Sequence, residues 1–291
     1  MPRFCYVNGR YLPHRNGAVH IEDRGYQFAD GVYEVIPVYQ GRMIDAGPHL
    51  DRLDYSLGEL RIDPPMARRP LEIVIRQLIE RNGLTNGLVY LQITRGVAPR
   101  DHKFPKSVPS ALVITTKQTK PIAANLIEQG VNVVTQPDIR WQRRDIKSIS
   151  LLPNILAKQA AVEQGGYEAW LVDEAGLITE GSSTNAWIVV GGKNGEPGEI
   201  VTRPRSHDIL SGITRLGVIA LAREQNLRLV ERAFSVAEAQ SADEAFLTSS
   251  SAFVLPVTQI DGRPVGTGKP GPCSRRLRQI YLQHAVGTSA A

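Results

Sequence analysis

Three short segments of the chain bring reactive or hydrogen-bonding groups together with small, turn-forming residues. In Asp145-Ile146-Lys147-Ser148-Ile149-Ser150, one lysine stands beside hydroxyls just ahead of an expected helix. In Ile178-Thr179-Glu180-Gly181-Ser182-Ser183-Thr184-Asn185, a carboxylate ends a strand before a run of small residues. In Leu210-Ser211-Gly212-Ile213-Thr214, a glycine opens a helix whose first amides have no partner within the helix. Such amides, with the helix dipole behind them, suit a phosphate. The cluster Thr248-Ser249-Ser250-Ser251 offers hydroxyls to the same anion. Singly, these are a surface lysine, a strand-end charge, a helix cap and a turn. Combined, an amine, a carboxylate and a phosphate cup on separate element ends are what pyridoxal phosphate requires. The amine forms a Schiff base, the carboxylate pairs with the ring nitrogen, and the cup holds the phosphate.

Competing chemistries lack their residues. One GxGxxG string occurs, Gly266 to Gly271, but Pro264, Pro270 and Pro272 crowd it and no βαβ pattern follows, so it reads as a loop. There is no GxxxxGK[ST], no HExxH and no GxSxG. The histidines, among them His20, His49 and His102, show no ligand spacing with the two cysteines, so no metal site is expected. The first 120 residues carry 17 Lys/Arg against 12 Asp/Glu, and the rest of the chain carries 17 of each. The surplus arginines are scattered among acids and aromatics are only 6%, which speaks against nucleic acid and for small anionic ligands. No apolar run approaches the ~20 residues of a membrane span, and no apolar leader is visible, so no membrane partner is expected. Two cysteines are too few for a disulfide framework, and a cytoplasmic setting is expected.

The elements that must position these groups follow from periodicity. Phe4–Val7 and Arg10–Leu12 flank Asn8-Gly9, a hairpin signal. Val32–Tyr39 and Arg42–Asp45 suggest a second hairpin around Gln40-Gly41. Leu50, Leu53, Leu57 and Leu60 predict an amphipathic helix over Pro48–Arg61, and Leu71–Arg81 a second helix. Lys117–Pro121 reads as a linker and Gly191–Gly198 as a surface turn. Further helices are predicted over Leu152–Gln164, Ile213–Gln225 and Cys273–Ala285, between strands that do not alternate strictly with them. That pattern predicts two α+β domains rather than one doubly wound sheet.

Five segments in order resemble class IV aminotransferases: Asp23-Arg24-Gly25-Tyr26-Gln27-Phe28-Ala29-Asp30-Gly31-Val32-Tyr33-Glu34, His49-Leu50-Asp51-Arg52-Leu53, Asp145–Ser148, Thr179–Asn185 and Gly212–Arg215. The resemblance covers almost the whole chain. It implies an α+β, two-domain fold of type IV, with a small N-terminal domain (1–117), a linker (118–123) and a larger C-terminal domain (124–291), the cofactor between them. It implies that Lys147 forms the Schiff base and moves the Cα proton, and that Glu180 pairs with the ring nitrogen. It places Arg52, Ile213, Thr214, Ser249 and Ser250 on the phosphate and Leu210 on the ring face.

Within the family, Thr94-Arg95-Gly96-Val97-Ala98-Pro99-Arg100-Asp101-His102 resembles the Arg-x-His loop of the D-amino acid branch. There the loop comes from the neighbouring subunit of a homodimer, which implies that Arg100 and His102, with Tyr33, hold the substrate α-carboxylate. The implied reaction moves an amino group, ping-pong fashion, from a D-amino acid such as D-alanine to a 2-oxo acid such as 2-oxoglutarate. A branched-chain or (R)-amine transaminase stays open. So does an aminodeoxychorismate-lyase-type enzyme, against which the Arg-x-His loop counts. With Pro99, Pro105 and little apolar surface of its own, the loop is expected to need a surface outside its own domain.

Overall fold

A computed structural model describes residues 2–191 and 198–290; most of the turn expected over Gly191–Gly198 lies outside the described residues. The chain divides into two compact units. The first comprises Met1–Lys120, Ile146–Ser150 and Ala285–Ala291, and the second Pro121–Asp145 and Leu151–His284.

The first unit runs β1 (Phe4–Val7), β2 (Arg10–Pro13), α1 (Arg24–Phe28), β3 (Gly31–Tyr39), β4 (Arg42–Met43), α2 (Ala46–Leu60), α3 (Arg68–Arg81), β5 (Gly87–Thr94) and β6 (Ala111–Gln118). Among the described residues its strands form one antiparallel sheet in the order β2-β1-β6-β5-β3-β4. The β1–β2 turn matches its sequence signal: Asn8 and Gly9 both take positive φ, 43° and 91°, and Val7 pairs with Arg10. In α2 the leucine spacing does what periodicity predicts. Leu50, Leu53 and Leu57 are buried in the same core as Val32 and Ile36 of β3, each contributing about 2 kcal/mol of transfer free energy. α3 begins at Arg68, ahead of the apolar pattern, and buries Leu71, Ile75, Leu78 and Ile79. The expected linker starts too early in the sequence reading: β6 extends through Gln118, so Lys117 and Gln118 are still paired to β5.

The second unit adds α4 (Ala124–Gln129), β7 (Val131–Pro137), α5 (Leu152–Glu163), β8 (Glu168–Val172), β9 (Ile178–Gly181), β10 (Asn185–Val190), β11 (Glu199–Thr202), α6 (Ile213–Glu224), β12 (Leu229–Glu231), α7 (Val236–Gln240), β13 (Glu244–Ser249), β14 (Phe253–Ile260), β15 (Arg263–Pro264) and, up to His284, α8 (Pro272–Ala290). Among the described residues its sheet runs β12-β11-β10-β13-β14-β7-β8-β9, with β15 on β14. It is mixed: β11–β12, β14–β7 and β7–β8 are parallel and the other pairs antiparallel. Trp170, Phe234, Leu247 and Leu255 are fully buried in its core, and Trp187 stacks on Phe246 at 5.2 Å.

The segment that carries Lys147 departs from the linear reading, which placed it in the C-terminal domain. Ile146–Ser150 packs with the first unit. The cause lies in β3: its partner β4 covers only Val38 and Tyr39, which leaves the Gly31–Tyr33 edge for another strand. Ser148 bridges to Val32, Tyr33 N–H donates to Lys147 O (3.0 Å) and Ile149 N–H donates to Gly31 O (3.1 Å). Ile146 then joins the first core.

Candidate active site

In the first unit β3 sorts the functional groups by alternation. Glu34 points into the core beneath α2 and is fully buried. His49 and Arg52, three residues apart on α2, both reach it. Arg52 donates from Nε to Oε1 (2.7 Å) and from Nη2 to Oε2 (2.8 Å), and His49 Nδ1 lies 2.8 Å from Oε2. Burial alone would raise the Glu34 pKa, but the charge and hydrogen bonds of Arg52, with His49, outweigh it and hold the carboxyl down from 4.5 to about 2. Burial pushes His49 down, so the ring is neutral near pH 7. Glu34 and His49 lie inside the resembling segments, yet neither was singled out. The signal was available: a charge on a strand's core face demands partners, and His49-x-x-Arg52 puts two on one helix face. Arg52, expected on a phosphate, commits the Nε–Nη2 edge of its fork to Glu34.

This pair carries a stability consequence. A carboxyl with a depressed folded pKa stabilises above its unfolded pKa and loses that contribution as pH falls through the folded value. Between pH 4.5 and about 2 the wild type should therefore lose about 3 kcal/mol that a Glu34→Gln protein, weaker overall, does not lose. Denaturant unfolding across that range checks this, and parallel slopes for the two proteins would refute it.

On the other side of β3, Tyr33 lies against Tyr90 at 5.6 Å, and the ammonium of Lys147 sits 4.2 Å from the Tyr33 ring centroid. The Lys147 backbone is fixed by Tyr33 N–H and by its own N–H donating to Ser56 Oγ at 3.2 Å. The side chain is half-buried.

Arg100 and His102 lie exposed on the loop after β5. The loop starts at Gly96, whose φ is +97° and where a Cβ would lie 2.1 Å from Pro109 O, so only glycine fits. The expectation that the loop lacks a seat on its own domain is corrected. Phe104 lies under the guanidinium groups of Arg95 (3.6 Å) and Arg61 (4.9 Å), and Phe28 faces both Arg100 (4.5 Å) and His102 (5.5 Å). A few arginine–aromatic contacts replace the apolar surface that the sequence lacks.

In the second unit the groups converge through strand register. Asn185 of β10 pairs with Thr248 of β13, which puts the Ser249–Ser251 turn just beyond Asn185. Asn185 Nδ2 donates to Glu180 Oε2 (2.9 Å) and to Leu210 O (3.1 Å). Leu210 N–H donates to both Glu180 oxygens at 3.1 Å. Gly212, the N-cap of α6, approaches so closely that a Cβ would fall 2.0 Å from Asn185 Oδ1. Asn185 thus ties Glu180, Leu210 and the Gly212 start of α6 to the end of β13 that precedes Ser249 and Ser250. Serine hydroxyls are partly engaged locally: Ser249 Oγ lies 3.3 Å from Ser251 Oγ and accepts from Ala252 N–H at 3.1 Å.

Arg140 completes this group and has no sequence signal, for it stands in the irregular segment after β7. Its Nη1 donates to Glu180 Oε1 (2.5 Å), and its Nε and Nη2 clasp Asp138 at 2.9 and 2.8 Å. Arg140, Asn185 and Leu210 all present N–H donors to Glu180, an environment that fits a carboxylate. Full burial pushes the Glu180 pKa up, and Arg140 opposes it. Each unit by itself holds groups of the kinds that pyridoxal phosphate needs: the first a lysine amine, the second a buried carboxylate locked by donors and a helix start whose N-cap has no side-chain bond.

This fold and these groups define an aminotransferase of class IV. The model of the family Amino-transferase class IV matches residues 31–260, and the chain belongs to that family. It is 41% identical over 286 residues to the D-alanine aminotransferase of Bacillus licheniformis, covering 98% of this chain and 97% of that one. It is 37% identical over 285 residues to the D-alanine aminotransferase of Staphylococcus haemolyticus, covering 98% and 99%. Among solved structures, the T.th. branched-chain amino acid aminotransferase with pyridoxamine 5'-phosphate matches with a TM-score of 0.90 at 26% identity, covering 99% of this chain and 95% of that one. Among the described residues no helix is long and apolar enough to cross a membrane.

Proposed function

We propose that this chain is a pyridoxal-phosphate-dependent transaminase that moves the amino group of a D-amino acid, such as D-alanine, to a 2-oxo acid, such as 2-oxoglutarate. The observation that carries the D-amino acid reading is the pair Arg100 and His102, exposed together on the Phe28 ring. The full-length likeness to D-alanine aminotransferases supports it. When bound, pyridoxal phosphate supplies an electron sink for the pair left at the substrate Cα and a temporary seat for the amino group. Lys147 Nζ takes the Cα proton and returns it, as a general base and then acid. Glu180 holds a proton on the ring nitrogen. Ile213 and Thr214 amides, the Ser249 and Ser250 hydroxyls and Arg52 would hold the phosphate, with Leu210 against the ring. Arg100, His102 and the Tyr33 hydroxyl fix the α-carboxylate and so decide which hand of substrate presents its Cα proton to Lys147. We place the enzyme in the cytoplasm as a homodimer whose Arg100–His102 loop serves the partner subunit.

The test is a half-reaction panel of D- and L-amino acids and (R)-amines. D-Alanine should react and L-leucine should not. The reverse would favour the branched-chain reading to which the solved structures point. Arg100→Ala should raise KM for D-alanine roughly ten- to a hundredfold, the loss of one charged hydrogen-bond pair. Mixing Lys147→Ala with Arg100→Ala protein should restore activity at low substrate, and no recovery after demonstrated subunit exchange refutes the loop's role in trans.

A further inference from the structure

The segment Asp23–Asp30 lies within one of the stretches that resemble the family, apart from the groups assigned to the chemistry. Its main chain is sewn to the substrate loop: Asp23 bridges to Val97, Arg24 N–H donates to Gly96 O (2.9 Å), and Ala98 N–H donates to Glu22 O (3.3 Å). Its side chains continue the seam. Asp23 caps α1 by accepting from Gly25 N–H (2.8 Å) and binds Thr94 Oγ1 (3.0 Å) at the end of β5. The buried Arg24, fixed by Asp30 at 2.8 Å, donates from Nη1 to Asp101 O (2.6 Å), the residue between Arg100 and His102. One aromatic ring then faces both flanking residues: Phe28 lies 4.5 Å from the Arg100 guanidinium carbon and 5.5 Å from the His102 ring.

We infer that this segment is the mount of the carboxylate loop and that Phe28 is a positioning residue for substrate, acting through Arg100 and His102. The inference rests on the proposed carboxylate-binding role of those two residues. An exposed arginine has several rotatable bonds, and ordering it on binding costs entropy. The face of an aromatic ring attracts a guanidinium and narrows the directions it samples before substrate arrives. The short helix α1 supplies that ring at a fixed place because Asp23 holds its first turn and Ala29, at φ 55°, ends it directly after Phe28. The loop's two substrate-facing groups are therefore arranged by their own chain, wherever the substrate is bound.

Steady-state kinetics of the holoenzyme with D-alanine and 2-oxoglutarate test this. Phe28→Leu should raise KM for D-alanine roughly three- to tenfold, the size of one exposed cation–π contact with some preordering, while kcat stays within about twofold. Phe28→Tyr, which keeps the ring, should stay near the wild type. In an Arg100→Ala background the cost of Phe28→Leu should largely disappear, because coupled residues are not additive. Thermal melting of each variant confirms folding, and Phe28→Met takes the place of Phe28→Leu should the latter unfold. An equal cost with and without Arg100, a fall in kcat at unchanged KM, or equal damage from Phe28→Tyr overturns the positioning role. If Arg100→Ala itself leaves KM unchanged, the carboxylate reading fails and the inference falls with it.

Discussion

Lys147→Ala is expected to abolish turnover while leaving the protein folded. The main-chain bonds that hold the segment, from Tyr33 N–H and to Ser56 Oγ, do not involve the Lys147 side chain. Alanine keeps them, and Ile146 stays in the core. What is removed is an amine poised 4.2 Å from the Tyr33 ring centroid. Loss of a positioned general base costs about 10²–10⁴ in rate, and loss of the amine that carries the cofactor adds to this. Borohydride treatment of the cofactor-loaded wild type followed by peptide mapping should put the label on Lys147. Label on Lys158, whose ammonium instead lies 3.5 Å from Glu168, would sink the assignment, as would substantial turnover in the alanine protein.

What was legible in the chain was local. The leucine spacing of α2, the Asn8-Gly9 turn and the helix opened by Gly212 express one element's own periodicity or backbone needs. Of the short helices that went unread, α1 and α7 have caps written plainly in the sequence. Asp23 accepts from Gly25 N–H, and Ser235 accepts from Glu238 N–H, a Ser-x-x-Glu signature. Five residues are too few for an apolar period to emerge, so only the caps could announce them. The unit to which Lys147 belongs was not legible, because it depends on which edge of β3 a strand from elsewhere leaves uncovered. Arg140 was invisible for a similar reason. Its partners Glu180 and Thr179 lie about 40 residues away, and no helix or strand period links them. The loop's seat was misjudged because aromatic–arginine contacts do not register as apolar surface, although Phe28, Arg61, Arg95 and Phe104 are all plain in the sequence.

Glu180→Gln should slow turnover by about a hundredfold or more, roughly 3 kcal/mol in the transition state, with a much smaller effect on cofactor retention. The surroundings of Glu180 say why the charge, not the shape, is at stake. Arg140 Nη1, Asn185 Nδ2 and Leu210 N–H all donate to its two oxygens. A glutamine keeps one acceptor oxygen but turns an amide nitrogen toward a neighbour that also donates, leaving a buried donor unmatched. It also removes the charge that keeps a proton on the ring nitrogen. Arg140 itself remains compensated, since Asp138 holds it through two bonds at 2.9 and 2.8 Å, so the fold should survive with a loss of about 1–3 kcal/mol. The phosphate contacts proposed for the start of α6 and the Ser249–Ser250 turn do not run through Glu180, which is why retention should change little. Two measurements separate these effects: single-turnover conversion of D-alanine by the loaded protein, and dialysis-monitored loss of cofactor. Conversion at the wild-type rate would show that the ring nitrogen needs no anionic partner. Rapid loss of cofactor with normal conversion of what remains would make Glu180 an anchor rather than an electronic partner.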